Sequence, residues 1–166
     1  QANAPQWLGE LPPVPAEVAR DIGNLRMLVA EDLQLANKIG SDSQSVDTHG
    51  ILSKNSLTIL DYPIDEHALG MLSDEVGTHL EKTDMIPSDR LITIEQRKEA
   101  LIINSCQGTK INETLGHLLL AMASTKSGSW GRLIIESTRI GIQSAHISPE
   151  DIIQWLYETP PDALEG

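Results

Sequence analysis

Leu101 to Met122, LIINSCQGTKINETLGHLLLAM, is the stretch whose reading decides the fold. Leu101, Ile102 and Ile103 form a short apolar run bounded by polar residues, the pattern of a buried strand. Gln107, Gly108 and Thr109 break it. Ile111, Leu115, Leu118, Leu119 and Met122 then recur at offsets of four, seven, eight and eleven, one face of an amphipathic helix. That spacing predicts Lys110, Glu113, Thr114 and His117 on the solvent side.

Working outward, Leu91 to Glu95 alternates, Arg97 and Lys98 form a polar turn, and Ala100 to Ser105 is apolar, which reads as a β-hairpin leading into the helix. Ser124 to Gly131 reads as a loop. Arg132 to Glu136 and Arg139 to Ser144 read as a second hairpin. Ser148, Pro149, Glu150 and Asp151 combine a cap, a first-turn proline and two acids, and start a helix that ends near Glu158, before Pro160 and Pro161. Two hairpin–helix units imply a four-stranded antiparallel sheet with helices on one face. Upstream the period is helical. Ala16 to Lys38 carries Val18, Ile22, Leu25, Leu28 or Val29, and Leu33, with Pro15 at its start and Gly23 inside it. Asp65 caps a second long helix, Glu66 to Lys82, with Ala68, Leu69, Leu72, Val76 and Leu80 as its apolar face. The expected class is therefore α+β. Residues 1–85 form a helical part, with a Pro-rich lead that Trp7 and Leu8 anchor and a flexible Ser- and Asp-rich loop at 40–50. Residues 86–166 form sheet and helices, the whole making one domain.

With no Phe, two Tyr and three Trp among 166 residues, the core has to be built from Ile and Leu. The net charge of −12 repels nucleic acid at long range and argues against autonomous DNA or RNA binding. One cysteine, Cys106, excludes an internal disulfide framework and fits a reducing, cytoplasmic setting. No apolar run reaches spanning length, so no membrane partner is expected. The chain begins at Gln1, as a processed protein or a piece of a longer one would.

Neither G-x-x-x-x-G-K-[ST] nor G-x-G-x-x-G occurs, so no ATP or dinucleotide site, and no catalytic site, is visible in this chain. The five histidines lack ligand spacing, and no metal is expected. Cys106 stands just before a helix N-terminus, which can depress a thiol pKa, but no base accompanies it and a buried structural thiol is expected. Four residues are candidates for nucleic-acid binding. Thr109 and Lys110 open a helix whose free N–H groups could hold a phosphate, although Thr109 can equally be read as the cap. Trp130, in a Gly- and Ser-rich loop, could stack on a base or fold back over the sheet edge. Arg139 flanks a strand, as do Arg90 and Arg132, whose ends could converge near the loop; the alternative for Arg139 is an ion pair with Glu136 or Glu95.

CQGTKINETLGHLLLAM and its preceding LIIN resemble the segment that follows the core of large helicase-related (Lhr) proteins, superfamily-two ATP-dependent helicases of DEAD/DEAH type. WLGELPPVPAEVARDIGNLR, DYPIDEHAL, IPSDRLITIE and ESTRIGI are similar to further stretches of that family in the same order, across nearly the whole chain. Gln107, Asn104, Ser137 and Thr138 depart from its usual residues. The resemblance implies an accessory domain without catalysis. It would pack on upstream motor and winged-helix domains of the same polypeptide and help wall a channel for single-stranded DNA or RNA, while ATP and Mg belong to the motor. It also places Lys110 and Arg139 at basic positions of the family's pattern. A protein-interaction module without nucleic-acid contact is the alternative that the charge favours.

Overall fold

The computed structural model describes residues 12–40, 62–98, 100–128, 130–144 and 147–159. The readings made for Trp7, Leu8 and the 41–50 part of the loop lie outside them. The element order is α1 (Ala16–Gly40), α2 (Glu66–Leu80), β1 (Thr93–Arg97), β2 (Ala100–Asn104), α3 (Thr109–Ser127), β3 (Arg132–Ile135), β4 (Arg139–Gln143) and α4 (Pro149–Glu158). This is the expected α+β class, with a four-stranded antiparallel sheet in the order β1-β2-β4-β3. The two hairpins meet through their second strands, so β1 and β3 are the edges.

Capping sets the helix starts where the sequence places them. Asp65 accepts a hydrogen bond from Ala68 N–H at 2.8 Å and starts α2. Ser148 and Asp151 form a reciprocal capping box at the start of α4. The β1–β2 turn is tight, Arg97 pairing with Ala100, and Lys98 takes the left-handed conformation (φ 48°) that such a two-residue hairpin needs.

Three readings shift. Ser124 to Ser127, expected as loop, are the last turn of α3, which ends at Gly128 in the left-handed conformation. β1 begins at Thr93 rather than Leu91, and Arg97 belongs to the strand rather than the turn. The buried stripe of α3 is Asn112, Gly116, Leu119 and Ala123, one position round from the predicted face, and Ile111 is 43% exposed. The reason is distance. A Cβ on Gly116 would lie 2.7 Å from Ile135 and 3.0 Å from Leu133, so the helix approaches the sheet along its small residues.

Register assigns the sheet faces. Ile94, Ile103, Ile140 and Ile135 form one cross-strand row, and Leu101, Ile142 and Leu133 lie in the next. These rows pack on Leu119, Ala123, Ile147 and Ile152, the main core. Each fully buried aliphatic side chain there contributes roughly 1.5–3 kcal/mol. The opposite face carries three rows: Thr93, Asn104 and Arg139; Glu95, Ile102, Gly141 and Ile134; and Arg97, Ala100, Gln143 and Arg132.

A second core joins α1 to α2 through Val29, Ala30, Val76 and Ile86. Gly23 is required rather than merely tolerated in α1. Its Cβ would meet Asp89 N at 2.9 Å, Ser88 C at 3.0 Å and the Cys106 side chain at 3.1 Å, so α1 presses directly on the start of the sheet half.

Candidate nucleic-acid interface

The β2–α3 loop, residues 105–108, carries the candidate site, and hydrogen bonds hold it from three sides. Ser105 and Cys106 N–H both donate to Thr138 O, at 3.0 and 3.3 Å, and Gly108 N–H donates to Ser137 O at 2.9 Å. Asn112, fully buried, sits beneath. Its amide donates to Glu136 O at 2.8 Å and Ser137 O at 3.1 Å, while its oxygen accepts the Ser105 hydroxyl at 2.6 Å. The third side is the lead into α1. Thr109 N–H donates to Val14 O, and Val14 N–H donates to Thr109 Oγ1, each at 3.0 Å. Gly108 (φ 86°) lets this lead pass, since a Cβ there would lie 2.8 Å from Ala16 backbone.

These bonds correct the reading of Thr109. It does not cap α3: the N-cap is Gly108, which provides no side-chain bond, while Thr109 Oγ1 accepts Val14 N–H and Thr109 N–H donates to Val14 O. One of the helix-start N–H groups expected to be free for a phosphate is thus already satisfied.

Lys110 is 76% exposed on its side chain, with Glu113 at 3.6 Å. Arg139 pairs with Glu136, the alternative considered for it, and lies beside Asn104 in the outer row of the sheet. Arg90 lies just before β1, at the same end, with Asp89 at 3.7 Å. Arg20 of α1 joins this end by donating to Gln107 Oε1 from Nε (3.3 Å) and Nη2 (3.0 Å), a contribution the sequence reading missed because 87 residues separate the two.

The other candidates do not converge here. Arg132 pairs in register with Gln143, which pairs with Ala100, at the opposite end of the sheet. Trp130, two residues earlier, is 95% exposed and does not fold back over the sheet edge. At a rise of ~3.4 Å per residue, the four steps from Arg139 to Gln143 separate the two ends by roughly 14 Å. Thr109, Lys110 and Arg139 therefore gather at one end, and Trp130 stands at the other.

Burial raises the Cys106 thiol pKa, with nearby Arg26 opposing and Asp89 reinforcing the shift, so its place before a helix does not activate it. Asn112 is the residue whose role the sequence hid. An Asn inside an apolar helix pattern gives no periodic signal, yet it fixes the loop and the Glu136–Thr138 turn relative to each other. No helix among the described residues is long and apolar enough to cross a membrane.

The comparisons find likeness to a helicase-associated family in the sheet half and to a helicase in fold. Residues 86–166 match the DEAD/H associated family, which covers the whole sheet half. Comparison with curated proteins gives no match. Among solved structures, the Mycobacterium smegmatis helicase Lhr bound to ssDNA and AMP-PNP superimposes with a TM-score of 0.61 at 17% identity. The likeness covers 92% of this chain and 18% of that one, so this chain spans under a fifth of the helicase it resembles. At such identity the likeness establishes a shared fold, and it includes the α1–α2 half that the family match leaves out.

Proposed function

We propose that this chain is the non-catalytic accessory domain of an Lhr-like ATP-dependent helicase. It packs on the motor and winged-helix domains of the same polypeptide and helps line the channel for single-stranded DNA or RNA. ATP and Mg are bound by the motor, outside this chain. The observation that supports this reading most is the β2–α3 loop, which gathers Arg20, Lys110, Arg139 and Arg90 at one end of the sheet in a chain of net charge −12. Thr109 contributes by fixing the loop, Lys110 by offering an extended cation, and Arg139 by lying in the exposed outer row. Trp130, at the far end, is positioned for a separate stacking contact if the strand runs along the sheet.

The test is Lys110→Glu in the full-length protein. We expect weaker single-strand affinity and a salt dependence flatter by about one unit of slope, with ATPase activity in the absence of nucleic acid unchanged. Unaltered affinity and slope in a folded variant would leave Lys110 an ordinary helix-surface residue. The pairing of Arg139 with Glu136, and of Lys110 with Glu113, favours a second reading, a protein-interaction module without nucleic-acid contact. Under that reading the same variant changes domain–motor association and not strand binding.

A further inference from the structure

Strand β3 is an open edge of the sheet. Glu136 N–H donates to Arg139 O at 2.9 Å, and pairing alternates along an antiparallel ladder, so Ile134 and Arg132 also turn their backbone groups toward β4. The N–H and C=O groups of Leu133 and Ile135 point the other way, off the sheet. The opposite edge, β1, is flanked by the C-terminal half of α2 and carries the charged pair of Glu95 and Arg97. Among the described residues β3 has no such cover. It has no Lys, Pro or bulge, its one charge is Arg132, and Ile134 is 51% exposed. Native sheets block edges of this kind unless a strand is meant to join them. We propose that the β3 edge pairs antiparallel with the same edge of a second copy of this chain, across a two-fold axis at Ile134.

The edge is complementary to itself, and that selects the occupant. With Ile134 opposite the partner's Ile134, Leu133 faces the partner's Ile135 and Ile135 faces the partner's Leu133. These are the residues with open backbone groups, so the two pairs exchange four hydrogen bonds. Their side chains lie on the inner face, already packed on the main core, and meet there as aliphatic pairs. On the outer face the two Ile134 side chains form a non-hydrogen-bonded pair, with Cβ atoms roughly 4.5–5.5 Å apart. Arg132 then falls opposite the partner's Glu136, and Glu136 opposite the partner's Arg132. Glu136 is on that face, since it pairs there with Arg139.

Other registers lose this match. A slip of one residue turns the open groups away from each other. A slip of two sets Arg132 or Glu136 against Ile134 and leaves one open pair facing instead of two. Beyond Glu136 the edge closes, because Ser137 O accepts Gly108 N–H and the Asn112 amide. The contact is small, residues 132–136 on each side, where a stable complex uses roughly 20–30 residues a side. The net charge of −12 on each copy also opposes approach. The dimer is therefore weak. Lys110 is not part of it, so this assignment and the strand-binding reading fail separately.

The experiment is sedimentation equilibrium of the whole chain at about 0.15 M salt, with amide hydrogen exchange read in parallel. We expect a reversible dimer with a dissociation constant of about 0.1–1 mM, and exchange at Leu133 and Ile135 that slows as concentration rises. Ile134→Lys alters an outward side chain and sets two like charges face to face. It should weaken the dimer at least about tenfold without lowering the melting temperature. Arg132→Glu and Glu136→Arg should each weaken self-association, while an equal mixture of the two variants should associate, because each chain then meets the opposite charge. A chain still monomeric at about 1 mM, a dimer indifferent to Ile134→Lys, or a mixture no tighter than either variant alone would each overturn the assignment. Protection of the Leu133 and Ile135 amides already in the monomer would give the edge to a segment of the same chain and overturn it equally.

Discussion

Asn112→Ala is the most incisive test of how the candidate loop is held. The side chain makes three hydrogen bonds, to the Ser105 hydroxyl and to the Glu136 and Ser137 carbonyls, and Asn112 and Ser105 are fully buried. At roughly 1 kcal/mol net per bond, truncation removes about 3 kcal/mol. The unpaired carbonyls and the vacated space push the loss upward, and the better helix propensity of Ala returns about 0.5 kcal/mol. The expected loss of about 3 kcal/mol is a large share of a total stability of roughly 5–15 kcal/mol. In urea, with a slope of about 2 kcal/mol/M, the midpoint should fall by about 1.5 M. A double-mutant cycle with Ser105→Ala should return a coupling of about 1 kcal/mol. A midpoint shift under about 0.3 M, or no coupling, would show that the loop is held by other contacts and would sink this account.

Other expectations follow from single contacts. Gly108→Ala forces a side chain into a left-handed backbone against Ala16 and should cost at least about 1–3 kcal/mol, read by thermal melting. Cys106, buried and with its pKa raised, should react with an aromatic disulfide at neutral pH far more slowly in the native chain than in urea. The hydrogen bond from Lys126 and the Ser148 N–H lower the Asp151 carboxyl below its ordinary 3.8. A depressed folded pKa adds stability that is fully present above 3.8 and is lost as pH falls through the folded value. Asp151→Asn should therefore flatten the acid limb of a stability–pH curve, and an unchanged limb would place the acid sensitivity elsewhere.

Much of the architecture was legible because it rests on strong local signals. Asp65 and Ser148 announce their helices through side-chain caps, and the run from Leu101 to Asn104 keeps the period of a strand. What the sequence hid is what small and polar residues do. The rule that large apolar residues mark a helix's buried face put Ile111 inside, but α3 meets the sheet along Asn112, Gly116 and Ala123 because only a small-residue stripe allows so close an approach. Gly23 was hidden for the same reason, since its partners, Ser88, Asp89 and Cys106, lie far along the chain. For the candidate site, the cluster of Lys110 with Arg139 was legible as family pattern. The separation of Trp130 and Arg132 from it was not, because only the observed register places β3's start at the far end.

The three anchors of the loop bear on how its charge can be interpreted. Val14 and Thr109 tie it to α1, Asn112 ties it to the β3–β4 turn, and Gly23 brings α1 against Cys106 at its base. None of these contacts uses the Lys110 or Arg139 side chain. Lys110→Glu therefore reverses a charge in the first turn of α3, beside a loop whose position is set independently, so a change in strand affinity reports electrostatics and not displacement. Arg139 differs, because it faces Glu136, whose carbonyl is one of Asn112's partners. Replacing Arg139 leaves the Glu136 carboxylate unpaired at the same end of the sheet, as Lys110→Glu leaves that of Glu113. A charge-reversed Arg139 changes the local charge by the same amount and should repel a strand about as much as Lys110→Glu does. Arg139→Glu with Glu136→Arg restores the local charge, and recovery of affinity in that double variant would separate charge from contact geometry.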